Sequence, residues 1–460
     1  MINTRSLAWV FALATMTHLA GCGGDETTII EKDSVAEEDR DLDDDHDHDG
    51  DIVIESEGRL VVLNGEGSEA VVYNLEDNTM LDSFALTSVP SAMTASADLR
   101  YAVLVDRAGD SVAFIDGGLW QEDHVEHLHD YEEAPVQLSY TLAGSRPTHV
   151  VSHEGQLAIF YDGDSETDTP ASITVISDSD IASENAAPLA IDYSVNMHGV
   201  AEPRGDHLFA SWRRDDADTT SANPILPDQI AVYHLHDEEY EQEEILDVTC
   251  PNLHGAAQNE SYLAFGCSDG VVLIQEQDET FTTSKIDNPE EVEEGLRVGS
   301  LYGHEDAEQF IGLASAHGGS SVQWFSIDPE EGEMELIDWQ PVEGASVVGR
   351  GFSFAAEQFL ILDNQGYLTM LEPHDHDGHS HWEFSERILI TEEDLANTPE
   401  EAGFSLAFSH SGHYAYVSDP IAQHVVIVDL EEKTIVGELE LGFVPTALTW
   451  LGIAEAHDHE

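Results

Sequence analysis

From Ile52 onward, apolar residues come in short runs that alternate with polar ones, separated by Gly, Asp, Asn and Ser turns. Arg59–Leu63, Ala70–Leu75, Tyr101–Val105, Ser111–Ile115, Ser172–Ile176, Gln229–Tyr233, Tyr262–Gly266 and His424–Asp429 are examples. This spacing predicts β-strands. No segment carries a sustained 3.6-residue apolar stripe, so helices are not expected. The chain reads as all-β.

The strands recur in units of about 40–55 residues, each running strand, polar turn, strand, Asp/Gly-rich loop, strand, longer loop, strand. Units start near Val89, Thr148, Met197, Leu253, Leu296, Ser346 and Phe404, and the stretch from Phe404 to Leu430 shows the pattern most cleanly. One four-stranded unit cannot bury both of its faces alone, so the repeat predicts the blades of a single β-propeller. The unit beginning at Arg59 lacks an innermost strand, and a lone strand, Thr446–Leu451, follows Pro445. The C-terminal strand is therefore expected to complete the first blade and remove a free edge. Counting that composite blade gives eight; a seven-bladed ring is the alternative.

Three consecutive units place a histidine where the innermost strand opens onto the central channel: Pro147-Thr-His149-Val, Met197-His198-Gly-Val and Leu253-His254-Gly-Ala. The next two units keep only the glycine, at Gly299 and Gly349. Neighbouring blades aim such positions at one axis, so His149, His198 and His254 are expected to converge. Three imidazoles with a carboxylate or water as fourth ligand suit zinc. Hydrated channel-lining histidines are the alternative. Loops on the same face carry His317, His424 and the carboxylates Asp106, Asp162, Asp363 and Asp419.

Charge sharpens this picture. The chain has 94 acidic residues against 15 basic ones, and its lysines are Lys32, Lys285 and Lys433. Such a field repels nucleic acid and attracts cations. An acidic surface suited to a salty medium would look the same, so acidity alone does not assign metal binding. The 24 histidines add more, because many are clustered with aspartate. His46 and His48, then His124, His127 and His129, then His374, His376, His379 and His381, and finally His457 and His459 form four such tracts. His-x-His runs mixed with Asp are short metal-binding segments. Strand order places the two interior tracts opposite the channel mouth, where a flexible, weakly binding fringe is expected.

The N-terminus reads as a targeting segment. Arg5, an apolar run from Leu7 to Ala14, and Leu19-Ala-Gly-Cys22 match a bacterial lipobox, with a plain secretory leader as the alternative. The expected organisation is a signal peptide over 1–21, a lipid-anchored acidic tether over 22–51, the propeller over 52–452 and a His/Asp tail over 453–460. Cys22 would carry the lipid. Gly23, in place of the Asp that retains such proteins at the inner membrane, points to the outer membrane within the periplasm or cell envelope. Cys250 and Cys267 then remain, and in an oxidising compartment they are expected to pair, with a zinc-thiolate pair as the alternative.

The His-Asp-His-Asp-Gly segment at 46–50, Met197-His-Gly-Val200, and Cys250-Pro-Asn-Leu-His-Gly255 leading to Ala264-Phe-Gly-Cys-Ser-Asp-Gly270 resemble the AztD-type periplasmic zinc metallochaperones. The likeness spans essentially the whole mature chain. Those propellers pass zinc to the substrate-binding protein of an ABC importer. The resemblance implies a tight site at the channel-mouth histidines and a mobile arm at His46 and His48. The lipobox and the tracts at 374–381 and 457–459 depart from that family, toward tethering and greater buffering capacity. The function expected is a non-catalytic, monomeric zinc carrier serving an importer's binding protein. Alternatives are a zinc- or copper-buffering lipoprotein without a recipient, copper being intrinsically preferred by imidazole sites, and a metal-dependent hydrolase. No nucleophile–base signature, phosphate loop or haem-attachment motif supports an enzyme.

Overall fold

The computed structural model describes residues 53–455 apart from 55, 66–67, 124–126, 185, 216–225, 278–279, 317–320, 377–378 and 401. The leader, Cys22, His46 and His48 on the tether, His124, His317 and the tail histidines His457 and His459 lie outside the described residues.

Eight four-stranded antiparallel sheets form a ring. Blade 1 consists of Arg59–Asn64, Glu69–Asn74 and Thr79–Ala85, with Pro445–Leu451 as its innermost strand. Arg59 pairs with Leu451 and Leu63 with Ala447, so the chain's end completes its first blade as the strand pattern predicts. Blades 2 to 8 start with innermost strands Ala92–Ala95, Pro147–His153, Ala201–Arg204, Ala256–Gln258, Arg297–Tyr302, Val347–Phe352 and Ser405–Phe408. Each lies within a few residues of its predicted unit start. The count is eight.

The core is not one mass but eight apolar layers, one between each pair of neighbouring blades. In Arg59–Asn64, Leu60 and Val62 pack toward blade 8 with Tyr416 and Val425, whereas Val61 and Leu63 pack toward blade 2 with Ala102 and Leu104. Period-two geometry thus sends successive side chains into different layers. This is why inner strands read as unbroken apolar runs, while the outermost Thr79–Ala85 is mostly exposed. Each fully buried Leu, Val or Phe contributes roughly 1.5–3 kcal/mol through its removal from water, so ring closure is driven by all eight layers together.

Two additions decorate the face opposite the innermost strands' starts. Blade 2 inserts the hairpin Leu119–Asp123/Leu128–Glu132 between its third and fourth strands. Blade 7 extends its outer pair, Tyr367–His376 and His379–Leu389, into the longest hairpin of the fold.

Candidate metal centre

His149 lies within the innermost strand of blade 3, and His198 and His254 lie just before those of blades 4 and 5. A bulge between Pro147 and His149 shifts the register there, the kind of irregularity that re-aims a side chain. The glycines after the other two histidines permit close packing. A Cβ on Gly199 would stand 2.5 Å from the Phe160 ring of blade 3, and one on Gly255 would stand 2.7 Å from the Gly299 carbonyl of blade 6. The repeated His-Gly pair is therefore a packing requirement of the channel mouth as well as a ligand pattern.

The three rings converge. Nε2 of His198 is 3.2 Å from Nε2 of His149 and 3.2 Å from Nε2 of His254. One ligand atom from each ring lies within 4.8 Å of the others. His198 donates its Nδ1–H to Asp162 Oδ2 at 3.0 Å, and His254 donates its Nδ1–H to the Gly299 carbonyl at 2.7 Å. Gly299 is the extra residue of a bulge between Val298 and Ser300. Asp162 is only 7% exposed and also accepts from Arg107 Nη2 at 2.8 Å.

These outer bonds determine where the lone pairs go. A carbonyl can only accept, so the Nδ1 of His254 carries the proton and a neutral ring presents a bare Nε2. The ionised Asp162 imposes the same tautomer on His198. Burial opposes the Asp162 charge, but the hydrogen bond and charge of His198, with those of Arg107, hold its carboxyl below the usual range. Burial and the neighbouring His198 lower the His254 imidazole. Burial, then His198 and His254, push the His149 imidazole down to about 3. Two bare lone pairs thus face each other across 3.2 Å, which is repulsive unless a cation lies between them. Ligands about 2.05 Å from a tetrahedral zinc stand about 3.3 Å apart. An outer carboxylate or carbonyl fixing each imidazole is the usual support of such a site.

The remaining candidates fall elsewhere. His424 opens the third strand of blade 8, two strands out from the axis, with ligand atoms of Glu438 and Glu440 within 4.8 Å; it does not join the mouth cluster. Three of the four loop carboxylates serve their own turns. Asp106 accepts from the Gly109 backbone N–H, Asp363 from those of Gln365 and Tyr367, and Asp419 from those of Ile421 and Ala422. Only Asp162 reaches a mouth histidine. Arg107 and the Gly299 carbonyl are site components that sequence reasoning missed. The signal for Arg107 was available, since it is one of few cations and directly follows a mouth-loop aspartate. Nothing in the sequence marks a carbonyl.

His129 stacks on Tyr131 within the blade 2 hairpin, and His127 lies beside it. In the blade 7 hairpin, His374 faces His381 and His376 faces His379 in backbone register. Cys250 and Cys267 form a disulfide. It joins the segment after blade 4 to the second strand of blade 5, bracketing His254.

No family model matches the chain. It is similar to the zinc chaperone AztD of Citrobacter koseri, with 21% identity over 420 residues, covering 87% of this chain and 89% of that protein. Two solved structures of Citrobacter koseri AztD, one of them apo, align with TM-scores of 0.68 and 0.67 at 20% identity, each covering 87% of this chain and 99% of the other. Dihydro-heme d1 dehydrogenase NirN aligns with a TM-score of 0.54 at 11% identity, over 86% of this chain and 76% of its own. The structural likenesses show the propeller fold. The alignment with AztD along most of both chains agrees with the resemblance drawn from the histidine and cysteine segments.

Proposed function

We propose that a chain similar along 87% of its length to a zinc chaperone is itself an extracytoplasmic zinc carrier, loading its ion at His149, His198 and His254. The observation that carries this reading is the 3.2 Å contact between Nε2 of His198 and Nε2 of His254, whose outer bonds leave lone pairs pointing inward, with His149 Nε2 also 3.2 Å from His198 Nε2. The role is carriage rather than catalysis, as in that relative.

In this reading the acidic surface concentrates cations near the protein. His46 and His48 on the tether act as a capture arm, and Cys22 holds the chain to the membrane, with the outer membrane of a two-membrane envelope as its expected site. His198 keeps 28% of its side chain exposed, so a donor from a recipient can approach while the ion is still held. The recipient proposed is the binding protein of a zinc ABC importer, served by a monomeric carrier. Ligation needs neutral imidazole, and with His149 held at about 3 and His254 lowered by burial, those two ligands should stay ready to load below the pH 6 at which an ordinary histidine protonates.

Demetallated protein titrated with zinc should show one tight event that the His198→Ala/His254→Ala double variant loses. A double variant that binds like wild type removes the channel site from the account. Delivery is tested by mixing zinc-loaded protein with an importer's binding protein. Transfer faster than release to a chelator supports handover, whereas equal rates leave only a zinc buffer.

A further inference from the structure

Blade 8 sets a histidine among carboxylates where its outer strands reach the channel-mouth face. His424 opens the third strand and stands opposite Glu440, the last residue of the outermost strand. Period-two geometry puts Glu438 on the same face of the sheet as Glu440. Val426, which shares that face with His424, packs with Leu360 and Leu362 in the layer toward blade 7. The three side chains therefore gather at the mouth end of the seam between blades 7 and 8.

Their donors converge. One ligand atom from each of His424, Glu438 and Glu440 lies within 4.8 Å of the others, and among the described residues this is the one such group besides the channel triad. His424 Nδ1 is 3.9 Å from Glu438 Oε2.

A buried group behind the ring points to a ligand in front of it. Asp419, in the turn before His424, is 1% exposed. Its Oδ1 accepts from the backbone N–H groups of Ile421 and Ala422 at 2.8 and 3.1 Å. Its Oδ2 accepts from no group among the described residues and faces His424 Nε2 across 3.8 Å. That Nε2 is itself buried and unpartnered. Nor does any lysine or arginine pair with Asp419, Glu438 or Glu440 among the described residues. An ion on Nδ1 would resolve both problems. It offsets the carboxylates, and it fixes the one proton of the neutral ring on Nε2, directed at Asp419. The plan repeats that of His198, whose outer nitrogen is backed by Asp162 from the equivalent turn of blade 3.

We infer that His424, Glu438 and Glu440 form a second site for a divalent transition-metal ion of the zinc type, with Asp419 as the outer carboxylate that orients the histidine. Mixed imidazole and carboxylate donors suit such borderline ions. Glu438 is more than half exposed, so this site is more open than the triad and exchanges its ion faster. It lies on the same face as the triad but shares no ligand with it, and the inference does not depend on the channel site.

The test uses the demetallated full-length protein, charged with one equivalent of zinc and then titrated calorimetrically with zinc or, separately, with calcium. A further saturable zinc event is expected. Glu438→Gln/Glu440→Gln, at the end of an outermost strand, and His424→Ala should each weaken it by about tenfold or more. Asp419→Asn can keep both turn bonds through its oxygen while placing an NH2 donor against Nε2. That favours the proton on Nδ1, so it should also weaken the event by about tenfold or more. None of these changes should alter the event that His198→Ala removes, and replacing His374, His376, His379 and His381 by Ala should leave the second event in place. Wild-type binding by the glutamine pair, or loss of the event only with the hairpin histidines, would overturn the site. Calcium binding as tightly as zinc would overturn its assignment to a transition metal.

Discussion

Replacing Asp162 by Asn separates the orienting role of the carboxylate from ligation itself. The carboxylate touches no ion in the proposed site; its Oδ2 accepts from His198 Nδ1 at 3.0 Å and from Arg107 Nη2 at 2.8 Å. An amide oxygen can occupy the same position and accept both bonds, so the shape of the mouth should survive. What disappears is the negative charge that fixes the His198 tautomer and balances an incoming dication. Removing such an outer partner typically costs 10–100-fold in metal affinity, about 1.4–2.7 kcal/mol. The Arg107 guanidinium is one-third exposed, so its lost ion pair should affect folding by no more than about 1 kcal/mol. Zinc affinity is measured by competition with a chromophoric chelator at pH 7.5, with Asp106→Asn, whose carboxylate holds its own turn, as the control. Asp162→Asn should fall in the 10–100-fold range and Asp106→Asn should match wild type. A wild-type affinity for Asp162→Asn, with His198→Ala inactive in binding, would refute the orienting role.

Three further outcomes follow from the same geometry. An imidazole at about 3 in the fold against about 6.5 when unfolded means that His149 takes up its proton only on unfolding. The demetallated protein should therefore lose stability as pH falls from about 6.5 toward 3, by about 2 kcal/mol at pH 5; flat urea midpoints across that range would contradict the buried neutral ring. Gly255→Ala drives a methyl to 2.7 Å from the Gly299 carbonyl, and should cost about 1–3 kcal/mol and weaken zinc binding together, read by thermal melts and titration. Reducing Cys250–Cys267, which closes a 17-residue separation, should lower unfolding stability by about 3 kcal/mol in denaturant curves of the demetallated protein.

The sequence carried the propeller because a blade repeats its strand pattern, and each repeat supplied an independent reading of the same register. The three mouth histidines were legible for the same reason, since they occupy one register position in consecutive units. His424 was assigned to the same face correctly by strand order, but strand order does not measure distance from the axis. It sits on a third strand and meets Glu438 and Glu440 instead. Asp162 could not be told apart from Asp106, Asp363 and Asp419, because all four occupy equivalent turns and only the three-dimensional path of the neighbouring blade selects one. The hairpin tract was readable as a run of alternating histidines and aspartates. Its docking against Glu335 was not, since blade 6's acidic edge lies more than forty residues away in sequence.

The seam in blade 1 ties closure of the whole ring to Pro445–Leu451. Pro445–Leu451 is synthesised long after Arg59–Asn64, yet the two strands pair directly. A copy cut short before this segment exposes a naked sheet edge and leaves Leu60 and Val62 without Leu448 and Trp450 beside them. Such a molecule invites aggregation or proteolysis, so these seven residues act as a latch that shuts the ring only after all the intervening blades have been made.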